Sequence, residues 1–154
     1  MSEPTGAEAA EFLNQHPSGW AAAMGLSFVS ASADAVIAEW TVGPQHLQIH
    51  GIVHGGVHCG VIETVCSIGA ALSARTLGKT AMGLENHTSF IRAVRAGMRL
   101  RATARPITRG RTTQVWEATI AGDDGKPVAT GRVRLLCAEP EAEVAGRRLG
   151  SGQE

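Results

Sequence analysis

The 154-residue sequence has no net charge to offer, since fourteen Lys and Arg are matched by fourteen Asp and Glu. A protein-wide electrostatic footprint for nucleic acid is therefore absent, and any anion site must be local. Cysteine is scarce too. Cys59, Cys66 and Cys137 are too few and oddly numbered for a disulfide framework, and none forms a CxxC pair. A reducing cytoplasm is the expected compartment. No apolar run approaches the roughly 18 residues of a membrane span. The most apolar stretch, 57–72, is broken by His58, Glu63 and Ser67. The first residues, MSEPTGAEAAEF, carry acids where a secretory leader carries bases and an apolar core, so neither secretion nor membrane insertion is expected. Internal repeats are missing as well. With 44% hydrophobic and 18% charged residues, the composition is that of a folded chain with room for one modest core.

Three zones follow. Residues 1–18 read as a flexible N-terminal segment in which 9–13 could form a short helix before the Pro17-Ser18-Gly19 break. Residues 19–139 read as one domain, and 140–154, with Glu141, Glu143, Arg147, Arg148 and several Gly, as a flexible tail. Within the domain, Val36, Ala38, Trp40 and Val42 alternate against polar neighbours as a strand. Val57, Val61, Val65, Ile68 and Leu72 recur at helical spacing, which predicts a helix over 55–75 closed by Gly78. Beyond it the period falls to two, predicting strands near 82–91, 98–105, 112–121 and 127–138, the last two joined by Asp123-Asp124-Gly125. One long helix set among strands predicts an α+β architecture, an antiparallel sheet wrapped around a central helix.

Glu63 is the only acid between Glu39 and Glu85, and it sits in the most apolar helix. A buried carboxylate costs several kcal/mol unless it is paired or protonated, so its place there requires a reason. Cys59/Gly60, Glu63 and Ser67 fall on one stripe of the helix at i, i+4 spacing, fit to line a pocket; an exposed helix face with one solvated acid fits the same spacing. His54-Gly55-Gly56 precedes the helix, where free backbone N–H groups and the positive dipole end can stabilise an oxyanion, although two glycines also make an ordinary entry turn. His46, His50, His54 and His58 are spaced by four beside Cys59. Gly51 and Gly55-Gly56 interrupt the continuous helix such a ligand set would need, so no metal is expected. Arg92, Arg95, Arg99, Arg101, Arg105, Arg109 and Arg111 lie in an acid-free, aromatic-poor stretch, suited to phosphate rather than base stacking, or to a solvated outer sheet face.

Three blocks together resemble the hotdog-fold thioesterases of the 4-hydroxybenzoyl-CoA and phenylacetyl-CoA type: HGGVHCGVIETVCSIGA with its acid nine residues after the His, NHTSFIRAV, and the closing hairpin RGRTTQVWEATIAGDDGKPVATG. The resemblance implies a hotdog fold and an active site shared across a homodimer, with two dimers forming a homotetramer. It implies Glu63 as nucleophile or general base, facing Gln48, His54 and Gly55 of the other subunit. The Gly55 N–H would polarise the thioester carbonyl, Gln48 would orient it, and Ser67 would hold water or substrate. Arg92, Arg111, Thr112, Thr113, Asn86 and His87 would contact substrate and CoA. No cofactor is implied. The chain departs from the family at His50 (an aromatic residue there), Ala93 (proline) and Arg111 (a small residue).

The expected activity is hydrolysis of an aromatic or medium-chain acyl-CoA in the cytoplasm, without nucleic-acid or membrane partners. The alternatives are a non-catalytic acyl-CoA binding or sensing domain, which gains nothing from a carboxylate facing a thioester, and a hotdog hydratase, which relies on an Asp-His pair where this helix has no Asp.

Overall fold

Alternation of apolar and polar residues builds the strands, and pairing of the apolar faces decides where the helix lies. The protein is described here by a computed structural model covering residues 5–149. Its elements are helices α1 (Gly6–Gln15), α2 (Gly19–Ala23) and α3 (Gly55–Arg75), and strands β1 (Ser27–Ala31), β2 (Val36–Thr41), β3 (Thr80–Phe90), β4 (Arg99–Arg109), β5 (Thr113–Gly122) and β6 (Pro127–Ala138). The six strands form one antiparallel sheet in the order β1-β2-β4-β5-β6-β3. The α+β expectation, an antiparallel sheet around one long helix, matches this architecture.

Registration places Ala102 opposite Ile120, Ala104 opposite Ala118 and Trp116 opposite Val133, so the inward faces of three strands form one apolar surface. Against it α3 buries Val57, Val61, Ile62, Val65, Cys66, Ala70 and Ala74. The length and mean hydropathy of α3, 1.4, would suit a membrane span, yet more than half of it is buried inside the protein, as befits a core helix. Trp116 lies flat on the helix because residue 69 is Gly; a Cβ there would collide with the indole. The indole N–H donates to Gln114 Oε1 at 2.8 Å, and Gln114 Nε2 donates to the Ala70 carbonyl at 3.3 Å. A fully buried polar pair is thus satisfied by the helix backbone.

The 1–18 zone carries α1 over Gly6–Gln15, longer than the short helix expected over 9–13. Thr5 and Glu8 form a capping box on α1, and Ala10 is buried. Asn14 clamps the helix to β1, donating from Nδ2 to Phe28 O and accepting from Phe28 N–H, both at 2.8 Å. Residues 1–4 of that zone lie outside the described residues. In the 140–154 zone, Glu143–Val144 and Arg147–Arg148 pair as a two-residue hairpin (β7, β8) over Ala145 and Gly146, both at positive φ. Residues 150–154 lie outside the described residues.

One feature of the sheet governs the site. Among the described residues β3 is paired to β6 on one side only, and its other edge is open along eleven residues. Leu84, Phe90 and the adjoining Ile91 are all at least half exposed there.

Candidate active site

Glu63 lies two turns into α3, on the side that faces β3. Ser67 Oγ, one turn further on, donates to Oε1 at 3.3 Å, and Asn86 Nδ2 donates to Oε2 at 3.1 Å. Asn86 Nδ2 also reaches the Cys59 carbonyl at 3.1 Å, while its Oδ1 accepts from Thr88 Oγ1 at 2.7 Å. The acceptor-only Cys59 carbonyl and Glu63 carboxylate therefore fix which end of the amide faces the acid. The carboxylate sits directly over Gly83, where a Cβ would run into Oε1. Glu63 is half-buried, and among the described residues no cation pairs with it. A carboxylate oriented by neutral donors, without an ion-pair partner, keeps its charge available to a substrate.

A second cluster forms at the start of α3. His54 is the N-cap, in extended conformation, and its Nδ1 accepts from the Gly56 N–H at 2.8 Å. This leaves the Gly55 N–H among the helix's uncapped donors. The Phe90 ring lies against Gly55, where a Cβ would run into its far edge. Gln48, Gly55, His58, Phe90 and Arg92 line a cavity of about 250 Å³. Gln48 Oε1 accepts the His50 N–H, which folds that side chain onto its own loop.

The two clusters do not meet within one chain. Gly55 and Glu63 are eight residues apart, roughly 12 Å along a helix. Their β3 neighbours, Phe90 and Gly83, stand roughly 20 Å apart along the strand.

The remaining expected residues separate by strand face. Asn86 faces inward and holds Glu63, so its observed contacts are to the acid. His87, next along the strand, faces outward, where it is ion-paired with Glu85 and lines a polar concavity with Ser89, Thr103, Arg105 and Arg132. It is on the wrong side of the sheet to share a site with Glu63, because successive residues of a strand point to opposite faces. Thr113 pairs with Leu136, which pairs with Met82, so Thr112 and Thr113, both exposed, lie near the Glu63 end of the sheet. Arg111 is exposed beside them, its carbonyl accepting from Lys79 Nζ at 3.1 Å.

The arginine-rich stretch does not form one cationic patch. Arg99 and Arg101 bind Glu39 of β2, and Arg109 binds Asp34 at 2.7 Å. Arg92 grips Asp124 through two hydrogen bonds of 2.7 and 2.9 Å and reaches the Lys126 carbonyl at 3.1 Å. That fork pushes the Asp124 carboxyl down to about 2. The stretch is acid-free along the chain, but sheet pairing and the hairpin bring acids to it from the side.

The histidines serve separate tasks. His46 is buried, with Nδ1 accepting the Gly43 N–H and Nε2 donating to the Met24 carbonyl, each at 2.8 Å. His54 caps α3 and His50 is exposed. Among the described residues no group of three or more His, Cys, Asp or Glu is arranged to hold a metal. Cys66, behind Glu63, is an inert thiol: burial first, then the charges of Glu63 and Glu117, push it up to about 12.

Sequence reasoning missed Gly83, Thr88 and His58. A Gly inside an alternating strand signals close approach by another group, and Thr88 shares Asn86's face at i, i+2, so both left a trace. The state of His58 depends on what surrounds it in space and left none.

Comparison with known proteins agrees with this geometry. The model of the thioesterase superfamily matches residues 50–129, just over half of the chain. The chain is 40% identical over 114 residues to the "Putative esterase Rv1847" of Mycobacterium tuberculosis, covering 73% of this chain and 81% of that protein. The solved structure of that protein superposes with a TM-score of 0.75 at 37% identity, over 78% of this chain and 96% of that one. The proofreading thioesterase EntH of Cronobacter turicensis is 30% identical over 110 residues, 71% of this chain and 79% of its own. The thioesterase HI1161 of Haemophilus influenzae superposes with a TM-score of 0.76 at 27% identity, over 90% of this chain and 93% of that one. The fold and the matches define a hotdog-fold thioester hydrolase. The chain belongs to the thioesterase superfamily.

Proposed function

We propose that the protein hydrolyses the thioester of an aromatic or medium-chain acyl-CoA, giving the free acid and CoA, in a site built by two copies of the chain. The observation that carries this is Glu63: a half-buried carboxylate held by Ser67 and Asn86, with no cation beside it among the described residues. A binding domain has no use for such a group.

The open edge of β3 supports the dimer. Antiparallel pairing of two β3 strands about a two-fold axis near Asn86 and His87 would set the Gly83 end of one against the Phe90 end of the other. Glu63 of one protomer would then approach Gly55, His54 and Gln48 of its partner, closing the gap that separates them in one chain. It would also cover the apolar Leu84, Phe90 and Ile91 and remove an exposed edge eleven residues long.

In that site the thioester oxygen accepts the Gly55 N–H at the positive end of α3, with Gln48 orienting it. Either Glu63 takes a proton from water as water attacks the carbonyl carbon, or its carboxylate attacks and the resulting anhydride is hydrolysed. In both routes the C–S bond breaks and the sulfur leaves as CoA thiolate, which takes up a proton. One oxyanion donor is worth on the order of 100- to 1000-fold in rate. Thr112, Thr113 and Arg111 meet the CoA portion, and Arg92, already neutralised by Asp124, shapes the cavity wall. We further propose that two dimers assemble into a homotetramer and that the enzyme works in the cytoplasm, which its three free cysteines favour.

The test is thiol release from purified protein across short, medium, long and aromatic acyl-CoAs. Glu63→Ala and Glu63→Gln are expected to stay folded and to lose turnover by three orders of magnitude or more, on the scale of removing a catalytic group. An active Glu63→Ala would overturn the assignment.

A further inference from the structure

The cavity at the head of α3 contains a polar group with no structural task. His58 follows Gly55 by three residues, so both face the same side of the first turns. Both line the cavity of about 250 Å³ with Gln48, Val53, Phe90 and Arg92. His58 is 4% exposed, and its Nδ1 is buried without a hydrogen-bond partner among the described residues. Its nearest aromatic neighbour, Phe90, lies 6.1 Å away between ring centroids and offers no polar atom.

The contrast with the other buried histidine is informative. His46 satisfies both ring nitrogens within its loop. Buried polar groups are normally hydrogen-bonded, and an exception in a native protein points to a missing partner. At position 58 an aliphatic side chain would suit the neighbouring Val57 and Val61. The imidazole stays uncharged, burial having pushed its pKa down to about 4, so near neutral pH the ring offers one donor and one acceptor.

We propose that His58 is the specificity-determining residue of this hydrolase, its imidazole hydrogen-bonding an oxygen atom carried by the acyl group. This rests on the thioester-hydrolase reading above. With the thioester carbonyl at Gly55, the acyl group runs one turn along the helix past His58. The preferred class is therefore acyl groups bearing a hydroxyl or carbonyl oxygen, and purely hydrocarbon acyl groups leave the ring unpaired.

The experiment compares kcat/KM for pairs of CoA thioesters that differ by one hydroxyl: benzoyl against its 2-, 3- and 4-hydroxy forms, and straight-chain acyl against 3-hydroxyacyl. Wild type is expected to favour at least one hydroxylated member by about tenfold or more, since a site built to hydrogen-bond an oxygen discriminates against the analogue lacking it. His58→Leu is expected to erase that preference, read as the ratio of kcat/KM within each pair and not as the absolute rate. His58→Gln, which keeps a donor and an acceptor, is expected to restore part of it. His58→Leu is also expected to melt at or above the wild-type temperature. Equal rates within every pair for wild type, or a preference that survives in His58→Leu, would overturn the proposal. So would a clear loss of melting temperature in His58→Leu without loss of preference. If no thioester is turned over by wild type, the hydrolase reading fails and this proposal falls with it; turnover without discrimination removes this proposal alone.

Discussion

Asn86 reaches across from β3 to Glu63 on α3, its Nδ2 standing 3.1 Å from Oε2, while its Oδ1 accepts the Thr88 hydroxyl at 2.7 Å. The open strand edge thus also carries the residue that orients the acid. In the proposed dimer, pairing of the protomers and the geometry of the carboxylate depend on the same element.

Asn86→Ala should lower kcat by roughly 10- to 100-fold while changing KM little, because a carboxylate misplaced by about 1 Å loses rate on that scale. Thr88→Val should give a smaller loss in the same direction. Steady-state kinetics on one turned-over acyl-CoA measures both. A rise in KM at constant kcat would make Asn86 a substrate contact instead.

Gly83→Ala separates stability from activity. Elsewhere in a strand the change from Gly to Ala adds roughly 0.5–1 kcal/mol. Here the new Cβ would enter the place of Glu63 Oε1. Turnover should fall by on the order of 100-fold while the thermal midpoint stays unchanged or rises. A fully active Gly83→Ala would show that the carboxylate works from another position.

Burial of His58 makes the protein acid-sensitive in a defined window. Its pKa is lowered in the folded state to about 4 from an ordinary 6.5, so the unfolded chain binds the proton more readily. Stability from this group is complete above 6.5 and declines as pH falls toward 4. At 1.36 kcal/mol per pKa unit the loss amounts to roughly 3 kcal/mol. Denaturant unfolding of wild type and His58→Leu at pH 7.0 and pH 4.5 should show the wild type losing more stability on acidification. Equal losses would contradict it.

The fold was legible because periodicity is a property of the chain itself: the bounds of α3 and the start and end of β6 follow from the switch between periods 3.6 and 2. Glu63 was legible for a related reason, as a lone acid in an apolar helix. The roles of the arginines were not. The acids that neutralise Arg92, Arg99, Arg101 and Arg109 lie 32 to 75 residues away and arrive through sheet pairing and turns. α1 was underestimated because its attachment depends on Asn14 meeting Phe28, a contact between two segments that sequence pattern treats separately. The direction of His87 was not legible from the motif alone: within NHTSF the first residue faces the acid, and the second points to the opposite side.

The central claim is that Glu63 of one protomer serves Gly55 of another. Gly55→Pro removes the backbone donor at the first helical position, where proline is tolerated and where His54 already has the extended conformation a following proline requires. The exposed Phe90 ring must swing aside to admit it. Glu63→Ala and Gly55→Pro homodimers should each be inactive. Coexpressed and purified as mixed dimers, the two chains place both defects in one site and leave the other intact. Random mixing should therefore restore about a quarter of wild-type thiol release. Mixed dimers as inactive as their parents would contradict the account, because they would show that each site is built within a single chain.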